Sequence, residues 1–146
     1  MPELATKAFG KIDVKAEQII HFPEGIFGFK DHLEFALIEE SEDSPFKWLQ
    51  STKDENLAFV VIQPELFLPA YSPEVSISEL NVIDVKSPSE CIIFAIVTIP
   101  ENNPEKMTAN LQGPVLINTS KKLGKQSISN NESHLVRVFI LEQLDG

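Results

Sequence analysis

The chain has 146 residues, with 12 Lys and Arg against 22 Asp and Glu, a formal net charge of −10, 42% apolar residues and 23% charged ones. That is enough length for one domain with its own core, and the composition is that of a folded globular protein rather than a disordered one. A shortage of cations on this scale argues against direct binding to nucleic acid, which relies on Lys and Arg to neutralise phosphate; it suits solubility and the attraction of basic partners.

The N-terminal stretch Met1 to Ala16 is charged and lacks an apolar core, unlike a secretory signal, and no apolar stretch approaches the ~20 residues that span a bilayer. The expected location is therefore the cytoplasm. The apolar segments are short and rich in β-branched and aromatic residues, as strands are. Phe9–Val14 and Gln18–Phe22 read as strands, followed by a tight turn at Pro23-Glu24-Gly25. Glu34–Glu39 reads as a third strand and leads into an acidic loop, Glu39–Ser44, that ends at Pro45. Phe46–Ser51 alternates, with Phe46, Trp48 and Gln50 on one face and Lys47, Leu49 and Ser51 on the other. The polar segment Thr52–Asn56 joins it, hairpin fashion, to the continuous apolar run Leu57–Ile62.

Pro64, Pro69 and Pro73 exclude a long helix from the middle of the chain. Ser76–Leu80 reads as one helical turn, with Ser76 as N-cap and Glu79 three residues later, and Asn81–Val85 reads as a weak strand. Cys91–Ile99 is the strongest strand signal, apolar on both faces and so expected at the centre of the fold. A loop at Pro100–Pro104 precedes an expected short helix, Glu105–Leu111. Val115–Asn118 and Lys125–Ser129 read as strands joined by the basic turn Lys121-Lys122-Leu123-Gly124. The last strand, His134–Leu141, points Val136, Val138 and Ile140 one way, and Leu135, Phe139 and Leu141 the other, with Arg137 on that second side. No repeat, low-complexity tract or linker interrupts this series. The expected fold is mostly β: one antiparallel, β-barrel-like domain over residues 1–146 with one or two short helices.

Catalytic signatures are missing from the sequence. His21, His32 and His134 have no partner at metal-ligand spacing, so structural or surface roles are the better reading. There is no Gly-x-Ser-x-Gly elbow, no phosphate-binding glycine loop and no dinucleotide fingerprint. The single cysteine, Cys91, excludes an internal disulfide and sits in an apolar run as a small core residue. The acidic pairs Glu39-Glu40 and Glu42-Asp43 lie in a loop without burial to shift a pKa. The triplets Asn118-Thr119-Ser120 and Asn131-Glu132-Ser133 match glycosylation acceptors, but without a secretory signal they are chance matches. The expectation is a protein with no catalytic residue, no cofactor and no metal. What remains is surface chemistry. Trp48 and Tyr71, the only Trp and Tyr, are of the types that anchor interfaces, although a Trp in a strand also suits a core; Phe27 and Phe29 beside the Pro23–Gly28 turn read either as core lids or as exposed anchors.

Five segments, in order, carry a likeness: Phe22-Pro23-Glu24-Gly25-Ile26-Phe27-Gly28-Phe29; Pro45-Phe46-Lys47-Trp48-Leu49-Gln50-Ser51 with Leu57-Ala58-Phe59-Val60-Val61; Val97-Thr98-Ile99-Pro100-Glu101; Met107 to Asn118, which contains Leu111-Gln112-Gly113-Pro114; and Gly124-Lys125-Gln126. Each is weak alone; as an ordered set spanning nearly the whole chain, they resemble the FliW family of flagellar assembly factors. The resemblance implies a compact β-barrel-like fold, no catalysis and two competing protein partners: flagellin, and the translational regulator CsrA, a small RNA-binding homodimer that represses flagellin synthesis. On this likeness, flagellin occupies the protein until it is exported. The freed protein, acting as a monomer in the cytoplasm, then binds CsrA away from its RNA site and relieves repression allosterically. A −10 molecule would be drawn to the basic surface that CsrA presents to RNA. Trp48, Leu49, Phe59, Tyr71 and Asn110 form the candidate contact set. The rival readings are a small-molecule-binding β-barrel or sensor, an enzyme whose site lacks a local pattern, and a self-associating structural subunit.

Overall fold

The structure, a computed structural model, describes residues 3–39, 41–131 and 133–141. Glu40 of the acidic stretch, Glu132 of the second Asn-x-Ser triplet and the last five residues of the tail lie outside the described residues. The N-terminus forms a hairpin of β1 (Glu3–Thr6) and β2 (Gly10–Asp13), in which Glu3 pairs with Asp13 and Thr6 with Gly10. Its turn is tied by the Thr6 hydroxyl, which donates to the Gly10 carbonyl at 2.8 Å and accepts from the Phe9 N–H at 2.9 Å. β1 carries little sequence signal, because its short Glu-Leu-Ala-Thr stretch has one clear apolar residue.

The main body is a sheet of β3 (Ile19–His21), β4 (Glu34–Glu39), β5 (Phe46–Ser51), β6 (Ala58–Ile62), β7 (Ile92–Thr98), β8 (Thr108–Asn118) and β9 (Leu123–Gln126). β3 through β8 pair antiparallel in chain order, β9 pairs antiparallel with β8, and a parallel contact at His21↔Leu123 joins β9 to β3, closing a seven-stranded barrel. A short β10 (Val138–Phe139) attaches to the first residues of β8 as a spur outside the ring. A helix, α1 (Ile77–Val82), begins at Ser76, whose hydroxyl accepts from the Glu79 N–H as an N-cap should.

Alternation along the strands decides what fills the barrel. Ile20, Phe35, Leu49, Val61, Phe94, Val115 and Ile117 point inward and pack with Phe22 and Ile26 into one cluster. Phe22 meets Phe35 edge-on, with ring centroids 5.3 Å apart. Gly124 is required beside them, because a Cβ there would fall 2.6 Å from the Phe22 ring. The interior is thus occupied by side chains, as expected of a narrow barrel.

Three layers cover the outside. The hairpin lays Leu4, Phe9, Ile12 and Val14 over Ala36, Ile38 and Trp48. Phe67, Leu68 and Tyr71 of the proline-rich crossing, with Val138 and Ile140, cover Ile62, Ala95, Val97 and Leu111. α1 and the segment after it bury Leu80, Ile83 and Val85 against Leu116 and Ile93. This wrapping explains why β7 reads as apolar on both faces.

Several elements differ from the sequence reading. Val115–Asn118 is only the second half of the 11-residue β8, whose first half takes the place of the expected helix Glu105–Leu111. The helical part is confined to a 3₁₀ turn, Pro104–Lys106. Between Phe94↔Val115 and Ile96↔Asn110 the register slips, so residues 111–114 bulge from the ladder. Asn110 stabilises the bulge: its carbonyl Oδ1 accepts from the N–H groups of Gln112 and Gly113 at 3.0 and 2.9 Å. Asn81–Val85 is not a strand; the helix runs to Val82 and the chain turns at Asp84, whose φ is +59°. Leu123 and Gly124 belong to β9 rather than to a turn, and the closing strand shrinks to Val138–Phe139.

Candidate partner-binding surface

The five candidate contact residues occupy four separate environments. Leu49 is fully buried at the centre of the barrel cluster, so its role is packing and it presents no surface. Phe59 packs at the barrel end against Phe35, at 6.0 Å between centroids, and against the partly exposed Phe29, at 5.4 Å. Trp48 points outward but lies beneath the hairpin, edge-on to Phe9 at 5.3 Å. Its indole N–H is buried and meets no acceptor among the described residues, so apolar contact holds this clasp. Asn110 is spent on the β8 bulge.

Tyr71 is the member beside an open concavity. Its hydroxyl donates to the Leu111 carbonyl at 2.6 Å, and its ring lies 4.6 Å from that of His134. Burial pushes its phenol above the usual range. His134 is held in turn by Ser129. That hydroxyl accepts from the N–H groups of Glu74 and Asn131, which leaves its proton to point to His134 Nδ1 at 2.7 Å. Tyr71, His134 and the residues after it line a groove of about 570 Å³ between the proline-rich crossing and β10. Leu135, Arg137 and Phe139 were legible only as one side of an expected strand; the groove they help form depends on Leu68 to Tyr71 arriving from far away in the sequence.

A second apolar region lies at and just after the Pro23–Gly28 turn, where Phe27, Phe29 and Leu33 are exposed and Phe29 packs on the half-buried Phe59. Gly25 and Gly28 have φ of +69° and +85°, and a Cβ on Gly25 would meet the Lys30 backbone at 2.6 Å. Phe27 is anchored by its N–H, which donates to the Gln126 side chain across the barrel seam.

Among the described residues, no group of three His, Cys, Asp or Glu side chains is placed to hold a metal ion. His32 Nδ1 lies 3.0 Å from the Ser51 hydroxyl, and exposed His21 lies 3.6 Å from Glu34. The Cys91 thiol donates to the Pro88 carbonyl, and burial, with the charge of Glu90, pushes it up to about 11. No helix among the described residues is long and apolar enough to cross a membrane.

Comparisons with known proteins point to one family. The family model of FliW protein matches residues 3–140. The chain belongs to the FliW family of flagellar assembly factors. The flagellar assembly factor FliW of Leptospira biflexa is 54% identical over 140 residues, covering 96% of this chain and 92% of its own length. That of Treponema denticola is 39% identical over 144 residues, covering 99% and 97%. A crystal structure of the flagellar assembly factor FliW superposes with a TM-score of 0.86 at 31% identity, covering 95% of this chain and 96% of that one. Family membership gives this barrel a role in assembling the bacterial flagellum, and its relatives are named for that role rather than for a reaction.

Proposed function

We propose that the protein acts in the cytoplasm as a monomer that binds flagellin and, once flagellin leaves, binds the translational regulator CsrA away from its RNA site, antagonising it allosterically and restoring flagellin synthesis. The observation that carries this reading is membership in a flagellar assembly family, joined to a barrel whose interior is packed with side chains. A filled interior leaves the outside as the working surface. That surface offers two features of the kind partners use: the exposed aromatic turn at Phe27 and Phe29, and the groove beside Tyr71. Of the candidate contacts, Tyr71 and the accessible part of Phe59 border these features, and Trp48 contributes through the hairpin it holds. The strongly acidic balance adds attraction toward a regulator that must present cations to RNA.

The test is isothermal titration of the purified protein with flagellin, with CsrA, and with CsrA after saturation by flagellin. The expected result is binding to each partner alone and loss of CsrA binding once flagellin is present. Absence of binding to both partners would overturn the reading. A small-molecule barrel is disfavoured by the same packed interior, and a thermal-shift screen of metabolites is expected to give no stabilisation.

A further inference from the structure

We propose that the groove between the proline-rich crossing and β10 is the seat of a short apolar segment of a partner polypeptide that carries carboxylates. The proposal rests on the reading above, that this protein works by holding other proteins, and assigns one surface to that work. The floor and walls are apolar: Leu68, Leu111, Leu135 and Phe139, with the ring of Tyr71. At about 570 Å³ the groove is within the size range of built ligand pockets, and Leu135 and Phe139 remain exposed on its edge.

The charges around it fix the kind of occupant. The molecule as a whole carries −10, yet no Asp or Glu lines this groove among the described residues. Arg137 is the cation of its lining, with the imidazole of His134 beside it, and Lys106 adds a second cation, with its ammonium 5.5 Å from the centre of the Phe139 ring. A local cationic rim on an acidic protein selects for carboxylates and against the basic partners that the rest of the surface attracts. A second copy of this chain is a poor occupant, because two −10 bodies repel each other. The hydrogen bonds of Tyr71 to Leu111 and of Ser129 to His134 hold the two walls in place before anything binds, so little ordering remains to oppose association.

The test uses the full chain. A displayed library of random nonapeptides is selected on the unaltered protein and counter-selected on Leu135→Asp. Recovered sequences should be apolar and carry Asp and Glu in excess over Lys and Arg. A labelled peptide from that pool should bind about fivefold more tightly than its Glu→Lys counterpart, the scale of an exposed charge pair, and Arg137→Glu should reverse the order. Leu135 and Arg137 are both exposed, so the variants should melt with the unaltered protein, and melting curves check this. The proposal is overturned if no peptide survives counter-selection, if the survivors are basic, if Arg137→Glu leaves the preference unchanged, or if sedimentation shows a dimer that Leu135→Asp dissolves. Flagellin and CsrA are titrated against the same proteins. Intact binding of both with a silent groove removes this inference alone; no binding of either to the unaltered protein removes the functional reading, while the peptide result still reports on the groove.

Discussion

Tyr71 joins two distant parts of the chain through one oxygen, and that bond can be read in solution. Tyr71→Phe keeps the ring and removes the donor to Leu111, which should cost about 1 kcal/mol in urea unfolding at neutral pH. The same residue sets an alkaline limit. Burial raises its folded pKa above the ordinary 10.0, so its contribution is intact below that value and is lost as pH rises beyond it. Melting temperature should therefore fall more steeply above about pH 10 in the unaltered protein than in Tyr71→Phe. Cys91 provides a second readout. With its thiol pushed up to about 11, little thiolate exists at pH 8, and alkylation by iodoacetamide should run roughly a hundredfold slower than for a free cysteine. A rate near that of the free thiol would show the 88–92 corner to be open.

At the level of elements, β5 shows how two neighbours divide their duties. Leu49 faces the barrel interior, and Leu49→Ala should cost about 2–5 kcal/mol in denaturant unfolding. Any loss of partner binding in that variant should track the unfolded fraction. Trp48, one residue earlier, faces the hairpin, and as the only Trp it reports on that contact alone. Phe9→Ala removes its edge-on neighbour and should shift Trp emission to longer wavelength as water reaches the indole. An unchanged spectrum would mean the hairpin stays seated without Phe9. The alternation in Phe46–Ser51 made this division legible in the sequence, and Glu34–Glu39 and the cap at Ser76 were legible for the same reason: the signal is local. β8 was not. Gln112-Gly113-Pro114 has the composition of a break, but pairing to β7 on both sides of it and the Asn110 bonds turn it into a bend within one strand. The groove was hidden for a related cause. The 68–71 crossing and the 133–139 segment are far apart in the chain, and only packing against Leu111 brings them together.

For the whole molecule, net charge and topology have separate consequences. If association with CsrA is steered by the −10 surface, its affinity should fall as salt rises from about 50 to 500 mM, because screening lengths shrink to a few ångströms over that range. Titrations at both concentrations check this, and an unchanged affinity would remove net charge from the explanation. Topology bears on how the protein is made. The seam of the ring joins His21 to Leu123, so the third strand waits for a mate encoded about a hundred residues later. While the ribosome is still translating, β3 through β7 can zip as neighbouring hairpins, but the outer edges of that curved ribbon stay unpaired until β8 and β9 have been made. Folding after release should be slow for the size of the chain, since a distant pairing must form before the ring stops offering open edges to other nascent copies.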